Sequence, residues 1–132
     1  MPPMSDMGER PLIWIGFADY VRLLKAMEEP EAWRPDVSAF LRRELDRAIV
    51  RRDGELPRAV VRMGTRVLFR RDDGAAAEWG TLAFPEDADG DEAVSIASPL
   101  GAALLGLRHG ASITYPDGAA TRRLSVERVL CD

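Results

Sequence analysis

The sequence predicts an α+β fold: a short antiparallel helical hairpin followed by a twisted antiparallel sheet packed on one short helix. Apolar residues recur at helical spacing in the first part of the chain and at every second position after Pro57. The stretch from Ser95 to Gly110 then contains a complete set of helix boundary signals. With 132 residues, 46% of them apolar, the chain can bury the core of one ordinary domain, or of a smaller domain with an appendage.

The first part of the chain predicts the two helices of the hairpin. A short apolar extended run, Leu12 to Ile15, precedes a helix expected from Ala18 or Asp19 to Glu29. A second helix is expected from Pro35 or Asp36 to Arg52, after a turn confined by two prolines. The apolar face of the first helix comprises Phe17, Tyr20, Val21, Leu24 and Met27, and that of the second comprises Val37, Phe40, Leu41, Leu45, Ala48 and Ile49.

These two amphipathic helices and their tight turn form an antiparallel hairpin. The spacing alone leaves open whether the hairpin projects from the protein or forms the core of a small helical domain. The composition of Asp53 to Pro57 is that of a linker, so a domain boundary is expected there. We therefore expect a hairpin over residues 1–53 and a second domain over residues 54–132.

The second domain shows the two-residue period of half-buried strands. Val61 and Met63, then Val67 and Phe69, alternate with arginines. Further strands are expected at residues 78–84, 93–96, 112–115 and 119–129, with turns at 71–74 and 117–118 and an acidic loop at 86–92. The arginines at positions 58, 62, 66, 70 and 71 are expected on a solvated sheet face, paired with Glu78 and the acids of the loop.

The short helix of the second domain lies within Ser95 to Gly110. Ser98 can cap the helix, and Pro99 can occupy its first turn, where the missing N–H has no partner to lose. The next apolar residues fall on one face, and glycines at 106 and 110 bracket the end of the helix. This segment therefore predicts a strand, a compact helix and another strand in close succession.

Composition excludes several classes of function. The net charge of −4 argues against nonspecific binding to nucleic acid or to an anionic membrane. A single cysteine, Cys131, and a single histidine, His109, exclude an intramolecular disulfide and any site built from several Cys or His ligands. Residues 1–10 lack the apolar core of a signal peptide, and Leu12 to Ile15 is too short to span a bilayer. We expect a cytoplasmic protein with no cofactor and no bound metal.

A resemblance is carried by the helix segment and by an ordered series of shorter pieces. Ser98-Pro99, followed by Gly101 to Leu107, Gly110, Ser112-Ile113 and the turn Pro116 to Gly118, resembles the carboxy-terminal domain of the bacterial Gre transcript-cleavage factors. It is closer still to the Rnk branch, the regulators of nucleoside diphosphate kinase. The other matching pieces, in the family's order, are Glu44 to Ala48, Glu55 to Pro57, Val60 to Met63, Arg66 to Arg70 and Thr81 to Pro85.

The resemblance implies a fold like that of the FK506-binding proteins (FKBP) for the second domain, and RNA polymerase as the partner. In Gre factors the loop leading into the short helix contacts the rim of the polymerase secondary channel. The matching positions here are Ala97, Ser98 and Pro99. The family pattern has an acid before Ser-Pro, where this chain has Ala97, so the charged part of that contact is missing. A monomer is expected, as is competition with Gre factors.

The tip of the hairpin is the second candidate site. Gre factors carry acidic side chains at the tip of a long coiled coil, where they hold a catalytic magnesium ion. The tip residues of this chain are Glu28, Glu29, Glu31, Trp33 and Asp36. A helix of about 17 residues reaches only roughly 25 Å at about 1.5 Å per residue, which is too short for a buried active centre. We therefore expect no transcript-cleavage chemistry and no catalytic residue.

Two other functions remain open from the sequence. Trp79, Phe84 and Tyr115 are candidates for a pocket of the kind that gives FKBP proteins prolyl isomerase or chaperone-like activity. Core packing is the simpler interpretation of these aromatic residues. The remaining alternative is a general protein-interaction module whose partner is not polymerase.

Overall fold

The computed structural model describes residues 10–72 and 76–130. The first nine residues, part of the turn expected at 71–74, and Cys131 lie outside the described residues. The helices are α1 (Phe17–Ala26), α2 (Pro35–Arg47) and α3 (Pro99–Leu104). The strands are β1 (Trp14–Gly16), β2 (Ile49–Arg51), β3 (Arg66–Arg71), β4 (Ala77–Ala83), β5 (Ala93–Ser95), β6 (Ser112–Asp117) and β7 (Ala120–Leu130).

The main sheet has five strands in the order β5-β4-β3-β7-β6. All neighbouring pairs are antiparallel except β4 and β5, which run parallel. In β3 the side chains of Val67 and Phe69 are buried while their neighbours are half-exposed, as the two-residue period predicts. The α+β class and the mostly antiparallel sheet with one short helix against it are confirmed.

The predicted second helix is too long, because α2 ends at Arg47 and not at Arg52. The backbone of Ala48 is extended (φ −69°, ψ 149°), and the next three residues form β2. This strand pairs in parallel with β1, and the Ile49 N–H donates to the Ile13 carbonyl at 2.9 Å. Ile49 and Val50 are β-branched, so a short strand suits them better than a helix terminus does.

Two further boundaries differ from the prediction. Helix α1 ends at Ala26 rather than at Glu29, before a turn that contains the 3-10 segment Pro30–Ala32. No strand forms at Val61 and Met63, where the chain instead makes turns and a single bridge between Val60 and Arg108. The two-residue period continues through this segment, but the chain pairs with neighbouring strands only from Arg66 onward, where β3 begins.

One buried cluster joins the helices to the sheet. It includes Leu23 of α1, Leu41 of α2, Leu104 of α3 and Val67 of β3, each fully buried. Helix α2 contacts both α3 and β6. The hairpin therefore packs on the sheet domain through a continuous core, and the division at residues 53 and 54 remains a prediction.

Helix α1 buries a different face from the one predicted. Leu23 and Met27 are 0% and 7% exposed, whereas Phe17, Val21 and Leu24 are 58%, 47% and 37% exposed. The helix has apolar residues on two adjacent faces, and only the face that contains Leu23 meets the core. The prediction that Phe17, Val21 and Leu24 belong to the packed face was wrong. No helix in the described part of the chain is long and apolar enough to cross a membrane.

Candidate functional site

The turn leading into α3, Ala97 to Pro99, is fixed by hydrogen bonds of two serines. The Ser98 hydroxyl accepts a hydrogen bond from the Gly101 N–H at 3.0 Å and donates one to the Ser95 carbonyl at 2.7 Å. The Ser95 hydroxyl accepts the Ala97 N–H at 3.0 Å. These contacts satisfy backbone donors that a helix start would otherwise leave free, so Ser98 is a helix cap, as predicted.

Helix α3 also depends on two glycines. A Cβ atom at Gly101 would overlap the Ser95 carbonyl oxygen, which is backbone and cannot swing away. Gly106 has φ of +83°, and a Cβ there would lie 2.9 Å from the Cβ of Ile13. The start of the helix therefore packs closely against β5, and the residues at its end pack closely against β1.

The turn also presents a surface. Ala97, Ser98 and Pro99 are each half-buried, so part of every side chain remains accessible. The Ile96 N–H donates to the Ala83 carbonyl at 2.8 Å, which holds the approach to the turn against β4. The three residues predicted as a contact surface thus lie together on a rigid corner of the domain.

The tip residues divide into an exposed group and a structural group. Glu28, Glu29 and Glu31 are exposed. Trp33 is only 6% exposed, and its indole N–H donates to the Ala26 carbonyl at 3.1 Å, so this ring fills the core. Asp36 accepts hydrogen bonds from the Arg34 guanidinium at 2.6 and 3.1 Å, and that guanidinium holds the pKa of the Asp36 carboxyl below its usual value.

The tip acids are not gathered into a metal site. Among residues 10–72 and 76–130, no group of three or more His, Cys, Asp or Glu side chains is placed to hold a metal ion. Glu28 and Glu29 follow α1, whereas Asp36 lies in the first turn of α2 beside Arg34. The candidate site with the better-defined geometry is therefore the turn into α3.

Comparison with known proteins covers both candidate sites. The family model described as "Transcription elongation factor, GreA/GreB, C-term" matches residues 56–130, which include all of α3 and the turn before it. The chain belongs to the GreA/GreB family. It is also 38% identical over 115 residues to the "Regulator of nucleoside diphosphate kinase" of Escherichia coli (strain K12), with 85% of each chain covered. The same identity and coverage hold for the relative of that name from Shigella flexneri.

A solved structure extends this likeness to most of the chain. The "Prokaryotic transcription elongation factor GreA/GreB from Nitrosomonas europaea" is similar to this chain with a TM-score of 0.72 and 34% sequence identity. The match covers 92% of this chain and 100% of that one. The names of these relatives describe regulators and elongation factors rather than enzymes. The fold and the Rnk and Gre resemblance predicted from the sequence are confirmed.

The attachment of α1 to the Gre-type domain was missed by the sequence reasoning. The Asp19 carboxylate accepts the Met63 N–H at 3.2 Å, and burial raises the pKa of this carboxyl. The Arg22 guanidinium lies 3.7 Å from the centre of the Phe84 ring and 3.4 Å from a carboxylate oxygen of Glu86. An aspartate on the side of α1 opposite Val21 was the available signal for this contact.

A buried charge cluster that joins α2 to the segment before β1 was also missed. Glu44 is 2% exposed, and its carboxylate binds Arg47 at 2.7 and 3.0 Å and Arg10 at 3.2 Å. Arg47 also donates to the Pro11 carbonyl at 2.6 Å. A buried carboxylate is tolerated because both of its oxygens are paired, and the cluster ties the chain before β1 to α2.

Two of the five arginines predicted on the sheet face pair with the predicted carboxylates, whereas Arg58 and Arg62 precede β3 and lie outside the sheet. Arg66 binds Glu92 at 2.9 and 3.0 Å, and Arg71 binds Glu78 at 2.8 and 2.9 Å. Because these charges are compensated, the sheet face is not an unopposed basic surface.

The three aromatic residues proposed for an isomerase pocket do not lie together. Phe84 and Tyr115 are 3% and 2% exposed and belong to the core. Trp79 alternates with the buried residues of β4, so its ring faces the other side of the sheet, where the Arg66 guanidinium stacks on it at 4.1 Å. The simpler interpretation of Phe84 and Tyr115, core packing, is the one the structure supports.

Proposed function

We propose that this Rnk-type protein docks on bacterial RNA polymerase near the secondary channel and competes there with Gre-type factors, without supplying transcript-cleavage chemistry. The observation that carries the proposal is the turn Ala97 to Pro99. It lies within the matched region, is accessible, and is fixed by the Ser98 cap and by Gly101. A preorganised corner of this kind docks without the entropic cost of ordering a loop.

The proposed mechanism is occupancy. Helices α1 and α2 have 10 and 13 residues and so extend only about 15 and 20 Å at about 1.5 Å per residue. Trp33, Val37 and Phe40 are buried in the same core as the sheet, so the tip stays against the body of the protein. A docked molecule would block access to the channel while its tip remains outside the active centre.

The proposal assigns no catalytic residue to the tip. Asp36 is already held by Arg34, and Trp33 is buried. The exposed carboxylates of Glu28, Glu29 and Glu31 are hydrated side chains on a short turn. They contribute negative charge, which disfavours contact with nucleic acid phosphates.

The partner is proposed to be the protein surface of polymerase rather than its nucleic acid. The net charge of −4 and the paired arginines of the sheet both disfavour phosphate binding. We propose that the chain acts as a monomer in the cytoplasm, where this partner is found.

The test is binding to purified bacterial RNA polymerase core, with and without a competing Gre factor, in parallel with cleavage of a backtracked transcript. We expect binding that the Gre factor displaces and no stimulation of cleavage. Stimulated cleavage would contradict the occupancy mechanism. Absence of binding at micromolar concentrations would contradict the polymerase assignment and would favour an interaction module with a different partner.

A further inference from the structure

An apolar stripe on α1, formed by Phe17, Val21 and Leu24, remains exposed in the folded protein. The three side chains are 58%, 47% and 37% exposed and lie on one face, at positions i, i+4 and i+7. The neighbouring face of the same helix, which contains Leu23, is buried in the core. No described residue covers the stripe, and contiguous exposed apolar side chains of this kind mark interaction surfaces.

A groove at the N-terminal end of the stripe gives it shape. The groove has a volume of about 360 Å³ and is lined by Phe17, Val50, Arg51, Arg52 and Glu55. The apolar side chains of Phe17 and Val50 can bury one or two side chains of a partner. The stripe therefore continues into a concave site rather than ending on a flat surface.

The charge at the rim of the groove indicates what fits it. Arg51 and Arg52 are exposed, and neither forms an ion pair with a residue of the described ranges, 10–72 and 76–130. The Arg51 guanidinium donates to the carbonyl of its neighbour Val50 at 3.0 Å. Glu55 is the one carboxylate among the lining residues, so the rim keeps an excess of positive charge. A partner segment with carboxylates beside its apolar residues would complement it.

The size of the stripe argues against self-association through it. Its three partly exposed side chains amount to on the order of 300 Å², because a large aromatic side chain contributes roughly 150–250 Å² when fully exposed. A stable protein interface buries about 800 Å² on each partner. The stripe suits an additional anchor within a larger interface better than it suits a dimer of its own.

We propose that the α1 stripe and its groove form a second docking surface, which receives an apolar, carboxylate-bearing protein segment of the partner. The apolar residues of that segment pack on Phe17, Val21 and Leu24, and its carboxylates bind Arg51 and Arg52. This surface is separate in the chain from the turn at Ala97 to Pro99. The inference rests on the proposed function, since polymerase is the partner used to test it.

The test compares the affinities of full-length variants for RNA polymerase core. Phe17→Ser with Val21→Ser removes the apolar contact, and Arg51→Glu with Arg52→Glu reverses the charge of the rim. We expect each pair of changes to weaken binding roughly tenfold or more, as loss of an interface anchor does. The control is Leu130→Ser, which removes another exposed apolar side chain (38% exposed) and should bind like the wild type. Unchanged melting temperatures would show that the variants remain folded.

Four outcomes would overturn the inference. If both stripe variants bind polymerase with wild-type affinity while Ala97→Arg weakens binding, the stripe is not a docking surface, and the proposed function is unaffected. Absence of binding by the wild type would contradict both the stripe proposal and the proposed function. A dimer seen by sedimentation, and lost in the Phe17 and Val21 variant, would assign the stripe to a second copy. Hydrogen exchange in α1 can also be compared between the wild type and the Asp6→Lys, Glu9→Lys variant, both without polymerase. Faster exchange in the variant would indicate that the chain's own first nine residues occupy the stripe.

Discussion

The helical segment and the turn into α3 are held in place by different kinds of interaction. Helices α1 and α2 pack on the sheet through the apolar core, and polar contacts of Asp19 with the Met63 N–H and of Glu44 with Arg47 and Arg10 add to this. The turn is fixed by backbone geometry, because Gly101 and the Ser98 cap leave the chain no room to move. The packing of the helices therefore includes buried charged groups, whereas the conformation of the turn depends on backbone shape.

The largest effect is expected from breaking the charge cluster of α2. Arg47→Ala would leave the buried Glu44 carboxylate with only the exposed Arg10 as its partner. Breaking a buried pair by removing one partner costs about 3 kcal/mol or more of unfolding free energy. Denaturant unfolding checks this, with Glu31→Ala on the exposed tip as the control, where a change within about 0.5 kcal/mol is expected. Equal losses in the two variants would show that the cluster does not hold α2.

The next largest effect is expected at the turn. Gly101→Ala places a methyl group onto the Ser95 carbonyl, and overpacking of this kind costs about 1–3 kcal/mol. Gly54→Ala is the matched control, because a Cβ at Gly54 has nothing within 4 Å. Thermal unfolding should show a clear loss for the first variant and almost none for the second. An unchanged melting temperature for Gly101→Ala would mean that β5 and α3 can separate without cost.

A smaller effect, on affinity for polymerase, is expected from changing the charge at Ala97 in the turn. Ala97→Asp restores the acid that the family pattern has before Ser-Pro, and Ala97→Arg places the opposite charge there. An exposed ion pair contributes up to about 1 kcal/mol, so we expect affinity for polymerase to rise about fivefold in the first variant and to fall in the second. Equilibrium binding at low and moderate salt measures both. A change of the same sign in both variants would indicate a steric effect rather than a charge contact.

The smallest effect concerns the pH dependence of the α1 attachment. Burial raises the pKa of Asp19, so its ionisation costs stability above the unfolded value of 3.8, and the cost disappears as the pH falls through the folded pKa. Asp19→Asn keeps an acceptor for the Met63 N–H and removes the charge. We expect this variant to melt slightly higher than the wild type at pH 7, with the difference shrinking toward pH 4. A difference that grows at lower pH would contradict this account.

The features predicted from the sequence are those that short segments determine. Ser98 and Pro99 define the start of α3 by themselves, the two-residue period identified β3, and turn signals beside them located β4, β6 and β7. The arginine pairing with Glu78 and with the acidic loop followed from composition and spacing. The turn, which is the better-defined candidate site, was predictable for the same reason.

The features that were missed depend on contacts between distant parts of the chain. Strand β2 has three residues, and only its pairing with β1 distinguishes it from the last turn of a helix. Periodicity finds an apolar face on α1, but it does not tell which of two adjacent faces meets the core, so Phe17 and Val21 were assigned wrongly. The parallel pairing of β5 with β4 also has no local signal.

The docking of β1 has a consequence for synthesis on the ribosome. The Trp14 N–H donates to the Gly106 carbonyl, and Ile13 packs at the same glycine, so the earliest strand is completed by a residue translated much later. Until Gly106 leaves the exit tunnel, Ile13 and Ile15 have no permanent place to be buried. Nascent chains that stop before this glycine should remain sensitive to protease, and resistance should arise only once β7, which lies between β3 and β6, has also emerged.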